Sequence, residues 1–211
     1  MWKGVKNALK TPFKGVFYFT KEGEYMSKYI KRYSILEIII IALMASLGLA
    51  TKPIIVPITH MITGPLFIPG GAVAGGFYMM WIVLSASLIN KKGAATLTAL
   101  TQALIVMISG SFGSHGVISI LTYSLPGIMI DLYLIISRRM IINKVDFFIS
   151  GIIANLSGTY LSNLVFFRLP IIPLAISLLS ASLSGGLGGI LAYMIKNQLN
   201  KFGLKEYLNI E

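Results

Sequence analysis

Long apolar stretches separated by short polar segments dominate the pattern of this chain. The clearest stretch follows the breaker sequence Pro69–Gly71, continues almost uncharged from Ala72 to Asn90, and stops at Lys91 and Lys92. About 20 apolar residues are enough for a helix to cross the hydrocarbon core of a bilayer, and lysines often mark its cytoplasmic end. The stretch therefore predicts a membrane-spanning helix that ends inside the cell.

Five further stretches have the same character, so the pattern predicts six transmembrane helices. Their predicted ranges are 34–50, 72–90, 94–110, 117–137, 145–166 and, after Pro170 and Pro173, 174–195. The segment from Thr51 to Gly71 is rich in proline and glycine, which predicts a long external loop between helices 1 and 2. Because unstructured loops of this length are uncommon unless they are functional, we expect it to form a lid that includes His60 and Phe67.

The composition agrees with an all-α integral membrane protein. Hydrophobic residues make up 55% of the chain and charged residues only 12%, and the mean hydropathy is +0.80. Cysteine is absent and histidine occurs twice, which excludes disulfides and thiolate metal sites. We therefore expect no resident metal.

The net charge of +11 is distributed unevenly. If the crossings are those predicted above, 16 of the 18 lysines and arginines fall in segments on one side, and only Lys52 and Arg168 fall on the other. Basic segments remain in the cytoplasm when a membrane protein inserts, so both termini are predicted to be cytoplasmic. The excess charge is thereby explained by the membrane, and no nucleic acid partner is expected.

The chain divides into three predicted regions. Residues 1–33 form a basic arm with the spacing of an amphipathic helix on the anionic inner membrane surface, or alternatively a loosely ordered arm that only sets orientation. Residues 34–196 form the six-helix membrane domain, and residues 197–211 form a cytoplasmic tail.

Polar and aromatic side chains concentrate in the outer halves of the predicted helices. The candidates are Tyr78, Trp81, Gln102, Tyr123, Asn155, Thr159 and Asn163. Each could be a helix–helix hydrogen bond, because a polar group in hydrocarbon needs a partner. Together they predict a substrate site for a flat ligand that is stacked on rings and oriented by amides and hydroxyls. No catalytic motif is present, and Asp131 is the only acid deep in a crossing, so an enzyme is not expected.

Helix 1 carries a small-residue stripe, Ala42, Ser46 and Ala50, which allows another helix to approach closely, either within this chain or in a partner. With six helices, cytoplasmic termini and a glycine-rich last helix, the chain resembles the substrate-binding S component of energy-coupling factor (ECF) vitamin transporters. The run Phe77–Trp81, the turn Asn90–Ala95, and Gly127 followed by Asp131 resemble the YkoE branch in particular, which is associated with thiamine and its hydroxymethylpyrimidine precursor.

The resemblance implies a prokaryotic protein of the cell membrane that binds a vitamin or vitamin precursor outside and delivers it inside. A transmembrane T subunit and two ABC ATPases would be its partners, the stripe Ala42, Ser46 and Ala50 would dock on the T subunit, and the chain itself would use no cofactor. Because no acid lies near the predicted outer site, a neutral pyrimidine is expected to fit better than cationic thiamine. An S component for another vitamin or for cobalt, a membrane-embedded lipid-modifying enzyme and a channel-forming protein remain alternatives.

Overall fold

A computed structural model describes residues 33–66, 68–109 and 118–202, which fold into six α-helices and contain no strand. These helices are α1 (Ile35–Thr63), α2 (Gly70–Ile89), α3 (Ala94–Ser109), α4 (Ile118–Ile136), α5 (Lys144–Ser162) and α6 (Ile171–Lys201). A 3-10 turn, Gly64–Leu66, follows α1, and a π-helical turn, Asn163–Phe167, follows α5. The predicted count of six helices is confirmed. Residues 1–32 of the predicted arm, and residues 203–211 of the predicted tail, lie outside the described residues.

The first helix is much longer than the sequence pattern predicts. It begins at a capping box in which the Ser34 hydroxyl accepts from the backbone N–H of Glu37 at 3.3 Å, while the Glu37 carboxylate accepts from the N–H of Ser34 at 2.7 Å. It then continues without a break to Thr63. The prediction of a long external loop from Thr51 to Gly71 is therefore wrong.

Two prolines inside α1 explain the error. Pro53 and Pro57 each remove a backbone donor, which breaks helices in water. In a membrane protein the cost is smaller, because neighbouring helices and threonine hydroxyls satisfy the freed groups, whereas unfolding the backbone in lipid would expose many more. The hydroxyls of Thr51 and Thr59 donate to the carbonyls of Gly48 and Ile55 at 3.0 and 2.8 Å. The apolar segment accordingly remains helical.

The outer surface of the bundle is apolar. Large hydrophobic side chains such as Leu43, Leu121 and Leu179 are more than half exposed. Judged by length and composition, α1, α2 and α6 are each able to span a membrane. Such a surface is stable only against lipid tails, so the chain is embedded in a membrane.

Most of the basic turns meet at one end of the bundle. Lys91, in the turn between α2 and α3, pairs with Glu37 at the start of α1, with 2.7 Å between Nζ and Oε2. The ammonium of Lys196, near the end of α6, donates to the carbonyls of Ser87 and Ile141 at 2.8 and 3.3 Å. The start of α1, the α2–α3 turn, the α4–α5 turn and the end of α6 therefore share this end, which we call the basic end.

Asp131, on α4, caps the first turn of α3 near the basic end. Its carboxylate accepts from the backbone N–H of Gly93 at 3.0 Å, and from the backbone N–H and hydroxyl of Thr96 at 2.7 and 2.6 Å. The first N–H groups of a helix have no partner within it, and a carboxylate there also complements the helix dipole. Asp131 is thus a structural residue that ties two helices together.

Replacing Asp131 by alanine is expected to lower stability without affecting the far end of the bundle. Three hydrogen bonds are lost, at about 1 kcal/mol net for each, and buried backbone donors are left unpaired. We expect a loss of about 3 kcal/mol, measured as a lower thermal unfolding midpoint in detergent. Ser137→Ala, directly after the end of the same helix, removes only a hydroxyl bond to the carbonyl of Tyr133 and is the control. Equal midpoints for the two variants would contradict this role.

Glycines bring α2, α5 and α6 into direct backbone contact. A Cβ placed on Gly188 would lie 2.1 Å from the carbonyl oxygen of Gly76, and one on Gly151 would lie 2.1 Å from that of Gly185. Ser184 also accepts from the N–H of Gly76 at 2.9 Å and donates to the carbonyl of Val73. Close approach of small residues is the main source of helix association in lipid. These three helices therefore pack at backbone contacts that leave no room for larger side chains.

Candidate functional site

A cavity of about 370 Å³ opens between the helices at the end of the bundle opposite the basic end. Its walls come from the second half of α1, the first half of α2, parts of α3 and α4, and the region where α5 passes into α6. Residues that line it include Gly48, Leu49, Lys52, Val56, His60, Tyr78, Met79, Gln102, Tyr123, Thr159, Asn163, Phe166 and Ser177. Its size is within the range of small-molecule sites in proteins.

One face of α1 forms a continuous wall of the cavity. Gly48, Lys52, Val56 and His60 follow one another at intervals of four residues, so they share one side of the helix over about 18 Å. A Cβ on Gly48 would lie 2.3 Å from the amide nitrogen of Gln102 and 3.1 Å from the carbonyl oxygen of Tyr78, so glycine allows α1 to approach both residues closely. The long first helix therefore supplies the site with a side wall and not with a flexible lid.

The ammonium of Lys52 lies against two tyrosines of this cavity. Its Nζ donates to the hydroxyl of Tyr123 at 2.7 Å, and it lies 4.0 Å from the ring centroid of Tyr123 and 5.3 Å from that of Tyr78. Both rings are within range of a cation–π interaction. No carboxylate of the described residues forms an ion pair with Lys52.

Several acceptors of the cavity are already used within the protein. The Tyr78 hydroxyl donates to the carbonyl of Gly71 at 2.8 Å, and the side-chain oxygen of Asn163 accepts from the N–H of Leu169 at 2.9 Å. His60 Nδ1 accepts from the N–H of Gly70 at 3.3 Å, so in the neutral imidazole the proton is on Nε2.

Two buried donors that line the cavity have no such partner among the described residues. The side-chain nitrogen of Gln102 and the hydroxyl of Ser177 are both buried, line the cavity and make no hydrogen bond. A buried polar group without a partner costs free energy. These two groups are therefore available to a bound molecule.

Asn163 also shapes the turn that closes the cavity beside α5. It begins the π-helical turn, whose last backbone bond runs from the N–H of Arg168 to the carbonyl of Asn163 at 2.8 Å. Arg168 has a left-handed backbone, with φ of 46°. The turn positions Phe166 and Leu169 on the wall. Single π-helical turns inside helical segments often mark functional sites.

Most of the residues predicted for the substrate site are brought together by the fold. Tyr78, Gln102, Tyr123, Thr159 and Asn163 all line the cavity, and His60 lines it from α1. Trp81 and Asn155 do not. Trp81 packs against the hydrophobic core of the bundle, and Phe67, the other residue predicted for a lid, lies outside the described residues.

Asn155 is a structural residue beneath the cavity. Its side-chain nitrogen donates to the carbonyl of Ala72 on α2 and to that of Ala181 on α6, both at 2.9 Å. The side chain is fully buried, and it fills the space where Gly75 has no Cβ. It therefore bridges three helices, and it is not among the residues that line the cavity.

The stripe Ala42, Ser46 and Ala50 lies on the outside of α1. All three residues are exposed, and the Ser46 hydroxyl is satisfied locally by the carbonyl of Ala42 at 2.8 Å. Because Ser46 and Ala50 are two residues to either side of Gly48, helical geometry directs them away from the cavity wall. Within the described residues, the stripe is therefore not used for packing inside this chain.

Lys52 is the main residue of the cavity that sequence reasoning missed. The proline- and glycine-rich pattern predicts a loop at this position, and a lysine in an external loop is expected to face water. The signal that could have found it is the four-residue spacing of Gly48, Lys52, Val56 and His60, which is visible only if α1 is allowed to continue through Pro53.

Comparison with known proteins gives two matches. Residues 36–157, more than half of the chain, match the model of a family described as ABC-type cobalt transport system, permease component. A solved protein described as "Crystal structure of an S-component of ECF transporter" matches with a TM-score of 0.67 and 18% identity, over 82% of this chain and 89% of that chain. The second match shows a shared fold. A search of curated proteins gave no significant match.

Proposed function

The chain belongs to the family described as ABC-type cobalt transport system, permease component, and from that premise we propose that it is the substrate-binding S component of an ECF importer. In this role it captures a vitamin or vitamin precursor in the cavity beside α1 and delivers it across the membrane. The observation that carries the proposal is the cavity of about 370 Å³ in a bundle with the fold of an S component.

The direction of transport follows from charge. The basic end carries Lys91, Arg139, Lys144 and Lys196 beside the turns and helix ends described above. Positively charged turns stay in the cytoplasm, so the basic end, with both termini, is cytoplasmic and the cavity faces the outside. This arrangement suits an importer of the prokaryotic plasma membrane, which must bind its substrate from the external medium.

The cavity lining suits a compact molecule with a flat ring. Tyr78, Tyr123 and Phe166 offer aromatic surfaces, while Gln102 and Ser177 offer polar contacts that would fix its orientation. A hydroxymethylpyrimidine fits these features better than thiamine, because the ammonium of Lys52 in the cavity would repel the positive charge of thiamine.

Cobalt is named in the family description, yet the cavity is not suited to a bare cobalt ion. Among the described residues, no three histidine, cysteine, aspartate or glutamate side chains lie close enough together to hold a metal ion. Divalent cobalt prefers several such ligands, whereas this cavity offers a single histidine and a lysine of positive charge. An organic molecule is therefore the substrate that we propose.

Energy for transport comes from partners in this proposal. The described residues offer the cavity no carboxylate, and the chain resembles transport components that bind without catalysing a reaction. A T subunit and two ABC ATPases would supply ATP hydrolysis, and the exposed stripe of Ala42, Ser46 and Ala50 would be the surface where α1 meets the T subunit.

Identification of a co-purified molecule tests this function. The full chain, purified in detergent from cells grown in rich medium, is expected to carry about one small organic molecule per protein, detected by mass spectrometry after denaturation. Thr159→Trp should fill the cavity and remove that molecule, whereas Leu183→Trp, at a side chain 70% exposed on the lipid surface, should retain it. A protein that carries and binds no small molecule, or equal retention in both variants, would contradict the proposal.

A further inference from the structure

The charged groups of the cavity are all of one sign. Lys52 brings a positive charge to the wall of α1, and no aspartate or glutamate is among the described residues that line the cavity. A buried ammonium without a carboxylate is costly, and the faces of two tyrosines compensate only part of that cost. A bound anion would offset the remaining cost by forming an ion pair with Lys52.

Several hydrogen-bond donors around the cavity are also free to bind an anion. The ammonium has three donors, of which the Tyr123 hydroxyl takes one. Gln102 Nε2 and the Ser177 hydroxyl are buried donors without a partner, and His60 has its proton on Nε2 because Nδ1 is occupied by the N–H of Gly70. Unused donors therefore surround the cavity.

Two acceptor oxygens of the cavity are already engaged within the protein. The side-chain oxygen of Asn163 is held by the backbone of Leu169, and the Tyr123 hydroxyl oxygen is held by Lys52. A molecule that enters is offered hydrogens by an ammonium, an amide and a hydroxyl. Its best complement is a group with several acceptor oxygens and a negative charge.

We propose that the cavity selects an organic anion, a flat ring that bears a carboxylate or a phosphate, with the anionic group against Lys52. The inference rests on the proposed function and specifies its substrate class. Lys52 forms an ion pair with the anion and the tyrosine rings pack against the ring. Lys52 lies between Gly48 and His60 on the face of α1 that lines the cavity, and this position determines how deep in the cavity the anionic group binds.

Matched pairs of compounds that differ in charge test the inference. The ligand-free chain in detergent is titrated by calorimetry with nicotinate and nicotinamide, with hydroxymethylpyrimidine phosphate and hydroxymethylpyrimidine, and with cationic thiamine. We expect the anion to bind about 30-fold or more tightly than its neutral counterpart in at least one pair, as the loss of one partner from a buried charge pair implies. Thiamine is expected to bind more weakly than either anion.

Two substitutions show whether Lys52 is the cause. Lys52→Met keeps most of the side chain's length and removes the charge, and it should abolish the preference for the anion, so that the two members of each pair bind with affinities within about 2-fold of each other. Lys52→Arg should retain the preference. A thermal unfolding midpoint close to that of the wild type shows that Lys52→Met is folded. If Lys52→Met does not fold, the binding measured with Lys52→Arg is used alone.

The outcomes separate this inference from the function on which it rests. The inference is overturned, and the transport function left intact, if no pair shows tighter binding of the anion or if thiamine binds as tightly as the anions. A preference that survives Lys52→Met has the same consequence. If none of these compounds binds, the co-purified molecule decides, since an anion supports the inference and a neutral or cationic molecule overturns it. If no small molecule binds or co-purifies, both proposals fail.

Discussion

Replacing Gly188 by leucine is expected to abolish the folded protein. Gly188 lies where α6 crosses α2, and even a Cβ at this position would lie 2.1 Å from the carbonyl oxygen of Gly76 and 2.6 Å from its Cα. The obstacle is backbone and not a movable side chain, so the two helices would have to separate by more than an ångström. Helix association in lipid depends on this contact, because no hydrophobic effect replaces lost packing there.

Size-exclusion chromatography of the detergent-solubilised protein measures the result. Gly188→Leu should lose nearly all of the monodisperse peak, since overpacking at a rigid backbone contact exceeds the usual cost of about 1 to 3 kcal/mol. Leu187→Phe adds bulk to the neighbouring residue, which is 61% exposed, and should elute as the wild type does. A normal peak for Gly188→Leu would show that α2 and α6 do not pack as described.

Replacing Ser46 by tryptophan is expected to abolish assembly with the transport partners while the chain still binds its ligand. Ser46 is exposed on the side of α1 away from the cavity, between Ala42 and Ala50. In the proposed function this flat surface allows a helix of the T subunit to approach closely, and an indole would hold the two helices apart. The cavity is unaffected, because Gly48 and Lys52 lie on the opposite face.

Co-purification of the T subunit and ATPases with the tagged chain measures assembly, and mass spectrometry of bound small molecules measures binding. We expect Ser46→Trp to reduce partner recovery at least tenfold and to leave the bound molecule unchanged. Leu179→Trp, on the lipid-exposed surface of α6 at 67% exposure, is the control and should assemble normally. Joint loss of partners and ligand would indicate a folding defect and would count against a docking role for the stripe.

The helices themselves were predictable because hydropathy and charge act together along this chain. Lys91 and Lys92, or Arg138 and Arg139, end apolar stretches of nearly the length that a membrane requires. In the structure a helix ends just before each pair, at Ile89 and at Ile136. The end of α1 was not predictable by the same means. Pro53 and Pro57 favour a loop locally. The segment stays helical because backbone groups without hydrogen-bond partners cost too much free energy in lipid.

The site was predictable in part for a similar reason. Spacing of four residues correctly groups Asn155, Thr159 and Asn163 on one face of α5, but it does not give their depth. Thr159 and Asn163 reach the cavity, while Asn155 lies one turn deeper and bridges to Ala72 and Ala181. Depth depends on where neighbouring helices touch, and that is decided by tertiary contacts such as Gly75 against Asn155.

Lys52 shows how one error in secondary structure affects the chemistry. The sequence pattern places Lys52 in an external loop, as one of two basic residues on the outer side of the membrane. As part of α1 it lies 2.7 Å from the Tyr123 hydroxyl inside the cavity. The sequence already shows that no acid lies near the site. The structure adds that the charge in the cavity is the positive charge of Lys52.

Labelling of single cysteines in intact cells tests most directly whether the cavity faces the outside and the basic end the cytoplasm. The chain has no cysteine of its own, so His60→Cys at the cavity and Lys92→Cys at the basic end can each be made in an otherwise unchanged protein. A membrane-impermeant maleimide is expected to label His60→Cys in intact cells and Lys92→Cys only after the cells are permeabilised. Labelling of Lys92→Cys in intact cells, with His60→Cys protected, would contradict the account of an importer that loads from outside.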